Sequence, residues 1–165
     1  MKSIIKAITL YQPWATLLAC KAKIYETRSW YTNYRGLIAI HAGKKNDFWY
    51  GGCDEEYLNA VYNALKPMFY PNVMCSQQDL RDAAIYGALI ATAELVGCYK
   101  INSQRGASWI EKNGEMYVPI EDEYIFGDWT PGRFAWGFTK MTMLPAPIPA
   151  KGKQGLWDLD YGVLN

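Results

Sequence analysis

The chain has 165 residues and a formal net charge of +1; 50% of its residues are hydrophobic and 15% aromatic. That is the length of a single domain, spanning 1–165, with enough apolar material for a core, and it excludes a disordered segment. A charge so near zero gives no global attraction to duplex nucleic acid, and no apolar run is long enough to span a bilayer.

Cys20, Cys53, Cys75 and Cys98 are far apart and form no C-x-x-C pair. That spacing argues against zinc and against a disulfide framework, and reads as reduced thiols in a cytoplasmic protein. The opening MKSIIKAITLYQPWATLLAC resembles a lipoprotein signal, but Gln12-Pro13 breaks its apolar stretch and reads as a helix start instead.

Residues 4–10, IIKAITL, read as a short strand. Pro13 suits a first helical turn, and Trp14, Leu17 and Leu18 then fall at i, i+3 and i+4, so a helix is expected to end near Ala22. From Ile24 to Trp30 the period becomes two, with Ile24, Glu26, Arg28 and Trp30 on one face. YTNYRG is a turn, and GLIAIHA (36–42) a second strand. Asp54 is placed to cap a helix repeating through Leu58, Val61, Tyr62 and Leu65 until Pro67 stops it, and Ser76 with Asp79 has the form of a capping box.

Residues 86–101 read as a long apolar strand carrying Glu94 on the face of Ile90, Thr92 and Val96. Residues 103–112 read as a brief helix, Asp128–Gly132 as a turn and Arg133–Leu144 as a strand with Phe134, Trp136 and Phe138 on one face. Strands with helices inserted between them, rather than alternating with them, predict an α+β chain: a small mixed barrel capped by helices.

The common catalytic signatures are missing, among them the Walker loop, H-E-x-x-H and G-x-S-x-G. One histidine excludes a His-rich metal site, and no cofactor motif is present. Charge is unevenly spread: six basic residues against Glu26 between Lys21 and Lys45, and six acids against Lys112 between Glu111 and Asp128. The basic region can focus an anionic ligand on one side.

Lys23, Glu26 and Arg28 lie among aromatic residues. They read either as a structural ion pair with a solvated lysine, or as a lysine tuned by its carboxylate to act as a base or hold a phosphate. His41, at a strand end, is a structural residue or a group that meets a base edge. Glu94 in its apolar strand needs a cation, with Arg28, Arg35 or Arg133 available. Trp136 reads first as core and second as a stacking surface, and AKGKQGLW places Lys151, Lys153 and Gln154 in a loop suited to a phosphate.

These residues together resemble the ASCH family of PUA-like domains. The resemblance rests on Gln12-Pro13-Trp14-Ala15, the K-x-x-E-x-R run of Lys23, Glu26 and Arg28 with Trp30, Tyr34-Arg35-Gly36 and Ile40-His41-Ala42. It continues in Glu94, Phe126-Gly127, Arg133-Phe134-Ala135-Trp136 and Gly152-Lys153-Gln154-Gly155-Leu156-Trp157, leaving about 46–84 as a helical insertion. It implies a PUA-like mixed β-barrel with a cleft beside the first helix, and an RNA-linked role. The partner would be single-stranded RNA, a nucleotide or a modified nucleoside held by Gln12, Pro13, Trp14, Arg28, Arg35, His41, Arg133 and Lys153. Glu94, Trp136 and Trp157 would be structural.

Some small members hydrolyse acylated cytidine with a lysine that Lys23 matches, and ribonuclease activity is associated with others. Where the hydrolytic members carry threonine three residues on, this chain has Glu26. Three readings stand: a binding module that takes a base into a cleft lined by Lys23, Glu26 and Arg28, a hydrolase with Lys23 and Glu26 as its acid–base groups, or a protein-interaction adaptor using the 46–84 insertion.

Overall fold

The computed structural model describes residues 3–45, 55–70 and 74–164, apart from the side chains of residues 121 and 122. In chain order the elements are β1 (Ile4–Leu10), α1 (Trp14–Ala19), β2 (Tyr25–Arg28), β3 (Gly36–Ala42), α2 (Glu55–Phe69), α3 (Gln77–Ala83) and β4 (Ala88–Gln104). There follow β5 (Ala107–Lys112), β6 (Glu115–Tyr117), α4 (Glu121–Ile125), β7 (Phe134–Pro149) and β8 (Leu156–Asp160).

The strands form one eight-stranded sheet in the order β2-β7-β4-β3-β1-β8, with β5 on β4 and β6 on β5. β1 and β3 run parallel and every other pair is antiparallel. The expected barrel is not closed, because β2 and β8 end the main path and do not pair. β2 is only four residues long and has its ladder with β7. What spans from β2 to β1 is a side chain: Arg28 Nη2 donates to the Thr9 carbonyl at 3.1 Å. A closed barrel would carry a backbone ladder around its whole circumference.

The main core packs Ala15, Leu18 and Ala19 of α1 against Ile8, Leu10, Ile38, Ile40, Leu95, Trp136 and Phe138 of the sheet. A second cluster joins Leu17 of α1 to Val61 and Leu65 of α2, Leu80 of α3 and Phe126. Both α2 and α3 fall within the 46–84 stretch, while the Asp54 cap lies outside the described residues. Ser76 does cap α3 in a reciprocal box with Asp79.

Four local expectations change. α1 stops at Ala19 rather than near Ala22, and Lys21 takes a left-handed conformation (φ 68°) that turns the chain toward β2. Pro67 does not end its helix: α2 runs on to Phe69, and Tyr70 N still bonds to the Lys66 carbonyl at 2.8 Å. Residues 103–112 are not a helix. Arg105 and Gly106 both have positive φ (52° and 84°), the two-residue hairpin geometry that returns β5 along β4. Asn113-Gly114 repeats it between β5 and β6 (55° and 81°).

Glu94, expected to be buried against an arginine, is partly exposed and pairs with Lys140 at 2.7 Å. Glu94 does share a face with Thr92 and Val96, but that face is turned outward, with Ala91, Ala93 and Leu95 turned into the core.

Trp136 is fully buried, meets Trp30 edge-on (centroids 4.5 Å apart, planes at 87°) and donates its indole N–H to the Trp30 carbonyl at 3.2 Å. Trp136→Ala is expected to cost about 3–5 kcal/mol of stability, and Trp136→Phe distinctly less. Urea unfolding midpoints of the two variants check this.

Candidate functional site

Pairing of β2 with β7 sets Glu26 opposite Trp136 and Arg28 opposite Phe134. Lys23, just before β2, is held by its own N–H on the Leu17 carbonyl at 3.2 Å. Its side chain is buried, 1% exposed, and Nζ donates to Glu26 Oε2 and to the Phe126 carbonyl, both at 2.9 Å. On its other side, Glu26 Oε1 lies 3.3 Å from Arg28 Nε, a charge contact without hydrogen-bond alignment. One carboxylate therefore sits between two cations, and a second arginine nitrogen ties the group to β1.

A cavity of about 1200 Å³ opens beside this row. Tyr11, Trp14 and Trp30 give it aromatic walls, and Arg28, Lys44, Lys45, Lys151 and Lys153 give it cations. Among the described residues Glu26 is the one acid lining it, and its charge is already matched. Lys23 does not line this cavity. It faces a smaller one of about 330 Å³ on the far side of Glu26, shared with Tyr57, Phe126, Asp128 and Arg133. Trp14 and Glu26 line both cavities.

His41 lies in the wall of the large cavity, opposite Thr9 in the parallel β1–β3 ladder. It is 1% exposed. Nε2 is 3.1 Å from the Ala150 carbonyl, an acceptor only, so this nitrogen carries the proton and Nδ1 is the bare acceptor. Nδ1 is buried and has no hydrogen-bond partner. Burial holds the imidazole below its ordinary value of 6.5, against the opposing pull of the Ala150 bond. Trp157 meets the ring edge-on at 6.1 Å and donates to Thr9 Oγ1 at 3.3 Å, while Lys153 Nζ lies 5.7 Å from the centre of the Trp157 ring.

Residues 8–129 match the family model described as the ASCH domain. The chain belongs to the ASCH family. This is a PUA-like domain family generally linked to RNA binding. The chain is also similar to activating signal cointegrator 1 of Mus musculus and of Homo sapiens, 27% identical to each over 155 residues. That alignment takes in 93% of this chain and 22% of each relative, so the chain spans about a fifth of their length.

Within this ASCH domain the sequence-predicted residues divide. Trp14, Glu26, Arg28, His41 and Lys153 converge on the large cavity, and Lys23 and Arg133 on the small one. Gln12 and Pro13 line neither. The Gln12 amide bonds to the Ile85 carbonyl (2.8 Å) and to Thr16 Oγ1 (2.9 Å), fixing the start of α1. Arg35 donates to the Thr32 and Tyr34 carbonyls at 2.9 and 2.7 Å, away from both cavities. Arg133 pairs with Asp128 at 3.1 Å, and that carboxyl is held below its ordinary range chiefly by the Thr130 hydroxyl.

Sequence reasoning passed over Thr9 and Tyr11 as wall residues. Their one signal is position, at the end of β1 directly before Gln12-Pro13. Among the described residues no cluster of three or more His, Cys, Asp or Glu could hold a metal, and no helix is long and apolar enough to cross a membrane.

Removing the Lys23 amine leaves Glu26 buried with a misaligned Arg28 contact. Lys23→Ala is expected to cost about 3–5 kcal/mol, as for a broken buried pair, and Lys23→Met with Glu26→Gln less than the two changes summed. Chemical denaturation of the four proteins checks the coupling.

Because the folded His41 value is lowered, the unfolded chain takes up the proton first as pH falls. The His41 contribution is therefore complete above pH 6.5 and is lost as pH falls through the folded value. As the chain has a single histidine, His41→Phe should flatten the change in urea midpoint between pH 7.5 and pH 5.5.

Proposed function

We propose that this domain binds single-stranded RNA or a nucleotide, taking one base, standard or modified, into the large cavity. The observation that carries the reading is the composition of that cavity: among the described residues, five cations and three large aromatic rings around one carboxylate that is already neutralised. An aromatic wall takes a base without regard to its identity, and stacking on one ring is worth about 1–3 kcal/mol. Lysines at a rim supply the salt-sensitive part of the affinity, through phosphate.

In this reading Trp14 or Trp30 stacks the base, while Arg28, Lys44, Lys45, Lys151 and Lys153 meet phosphate. Lys23, on the far side of Glu26, is a positioning residue: it holds the carboxylate that orients Arg28.

The second reading makes the domain a hydrolase of acylated cytidine or of RNA. It draws on the 2.9 Å bond between Lys23 and Glu26 and on the position of Glu26 in both cavity walls. Binding ranks first because the lysine amine does not reach the large cavity and already donates two of its hydrogens, one to the carboxylate and one to a carbonyl.

Two measurements test these readings. Fluorescence titration with short single-stranded RNA should show affinity falling as salt rises. Trp14→Ala should weaken binding by about 1–3 kcal/mol, and Lys153→Ala should lower the salt slope by about 0.7, the share of one phosphate contact. No binding at low salt sinks the proposal. A chromatographic time course with N4-acetylcytidine decides the second reading: cytidine released by the natural chain but not by Lys23→Ala would make it an enzyme.

A further inference from the structure

We infer that His41 Nδ1 is a specificity determinant of the large cavity, an acceptor for an N–H group on the edge of the bound nucleobase. The inference rests on the base-binding reading above and adds a direction to it: the protein accepts and the ligand donates.

The argument begins with the tautomer. The Ala150 carbonyl offers only lone pairs, so the proton it receives must sit on Nε2, and Nδ1 is left with a lone pair in the ring plane. Burial favours the neutral ring, so that lone pair is not itself protonated near neutral pH. A buried acceptor without a donor costs free energy that a ligand N–H can recover. Here the orphaned atom belongs to a side chain that is itself in the cavity wall.

The loop after β7 packs directly over this atom. A Cβ added at Gly152 would lie 2.6 Å from Nδ1, 2.5 Å from Cε1 and 2.8 Å from Thr9 Oγ1. Only a glycine lets the loop after β7 come this close, and Gly152 also lines the cavity. The hydroxyl of Thr9, which accepts from Trp157, keeps its own hydrogen to offer a ligand acceptor. Nδ1 and Thr9 Oγ1 thus present an acceptor and a donor side by side, the complement of a base edge with adjacent N–H and lone pair. Since the Gly152 backbone covers Nδ1 in the structure, the inference includes a shift of this loop on binding.

Because His41 is the one histidine of the chain, its ring nitrogens can be observed without assignment ambiguity. The protein, labelled with ¹⁵N-histidine, would be titrated with the four ribonucleoside 5′-monophosphates at pH 7.5. The best binder should move the Nδ1 resonance upfield while Nε2 stays protonated. An N-alkylated counterpart of that base, lacking the N–H, should bind about tenfold more weakly.

His41→Phe should bind the two forms equally. A purely steric penalty from the alkyl group would survive in this variant, and that result would overturn the inference. A best binder that leaves Nδ1 unmoved overturns it too, while the base-binding reading stands. If none of the four nucleotides binds, both fall.

Discussion

The carboxylate of Glu26 is the point on which the rest of the site depends. It cannot lie in the interior without cations, and the chain supplies one on each side: Lys23 from behind and Arg28 from within β2. Each cation is committed elsewhere as well, Lys23 to the Phe126 carbonyl and Arg28 to the Thr9 carbonyl. The carboxylate therefore links the segment after α4, the short strand β2 and the end of β1 through one continuous set of polar contacts. Of those three segments, two come from separate strands of the sheet and the third from a turn outside it. The helix α1 packs over the same region with its apolar face, so the polar row is closed in by the core that surrounds it.

That arrangement also explains the position of the large cavity. With β2 and β8 not paired to each other, the sheet leaves a gap where β2 approaches β1, and the gap is bridged by a guanidinium instead of backbone hydrogen bonds. Side chains that a closed barrel would turn against one another here line an open space: Thr9 from β1 and Tyr11 just after it, His41 from β3, and the loop from Ala150 to Gly155. Basic residues reach it from two distant stretches, Lys44 and Lys45 after β3, and Lys151 and Lys153 before β8. The near-neutral whole chain thus carries a locally cationic recess, the arrangement that focuses an anion without making the protein generally sticky to nucleic acid.

Much of this was legible in the residues, and what was not has physical reasons. K-x-x-E-x-R spacing places Glu26 and Arg28 on one strand face, and that geometry holds. The capping box at Ser76 is equally local, four residues that satisfy one another whatever surrounds them. The partner that fixes Lys23, by contrast, is a carbonyl more than a hundred positions away, and no local pattern encodes it. Glu94 sits outside because an apolar run reads as buried on both faces, whereas the face it shares with Thr92 and Val96 is turned outward. The hairpin at 103–112 was missed because Arg105 takes a left-handed conformation that non-glycine residues seldom adopt. Closure of the sheet was the hardest to foresee, since the pairing of two end strands depends on every register between them.

The first and last strands hold one more consequence. β1 and β8 are neighbours, with Ile4 opposite Asp160 and the Tyr161 amide on the Ser3 carbonyl at 2.8 Å. Entry to the domain and exit from it therefore lie side by side, at one edge of the sheet. A unit built this way can be carried inside a longer polypeptide as a looped-out cassette, its two flanks leaving at nearly the same point. The host need not be pried apart to hold it, and the recess beside β1 travels with the cassette as a self-contained feature.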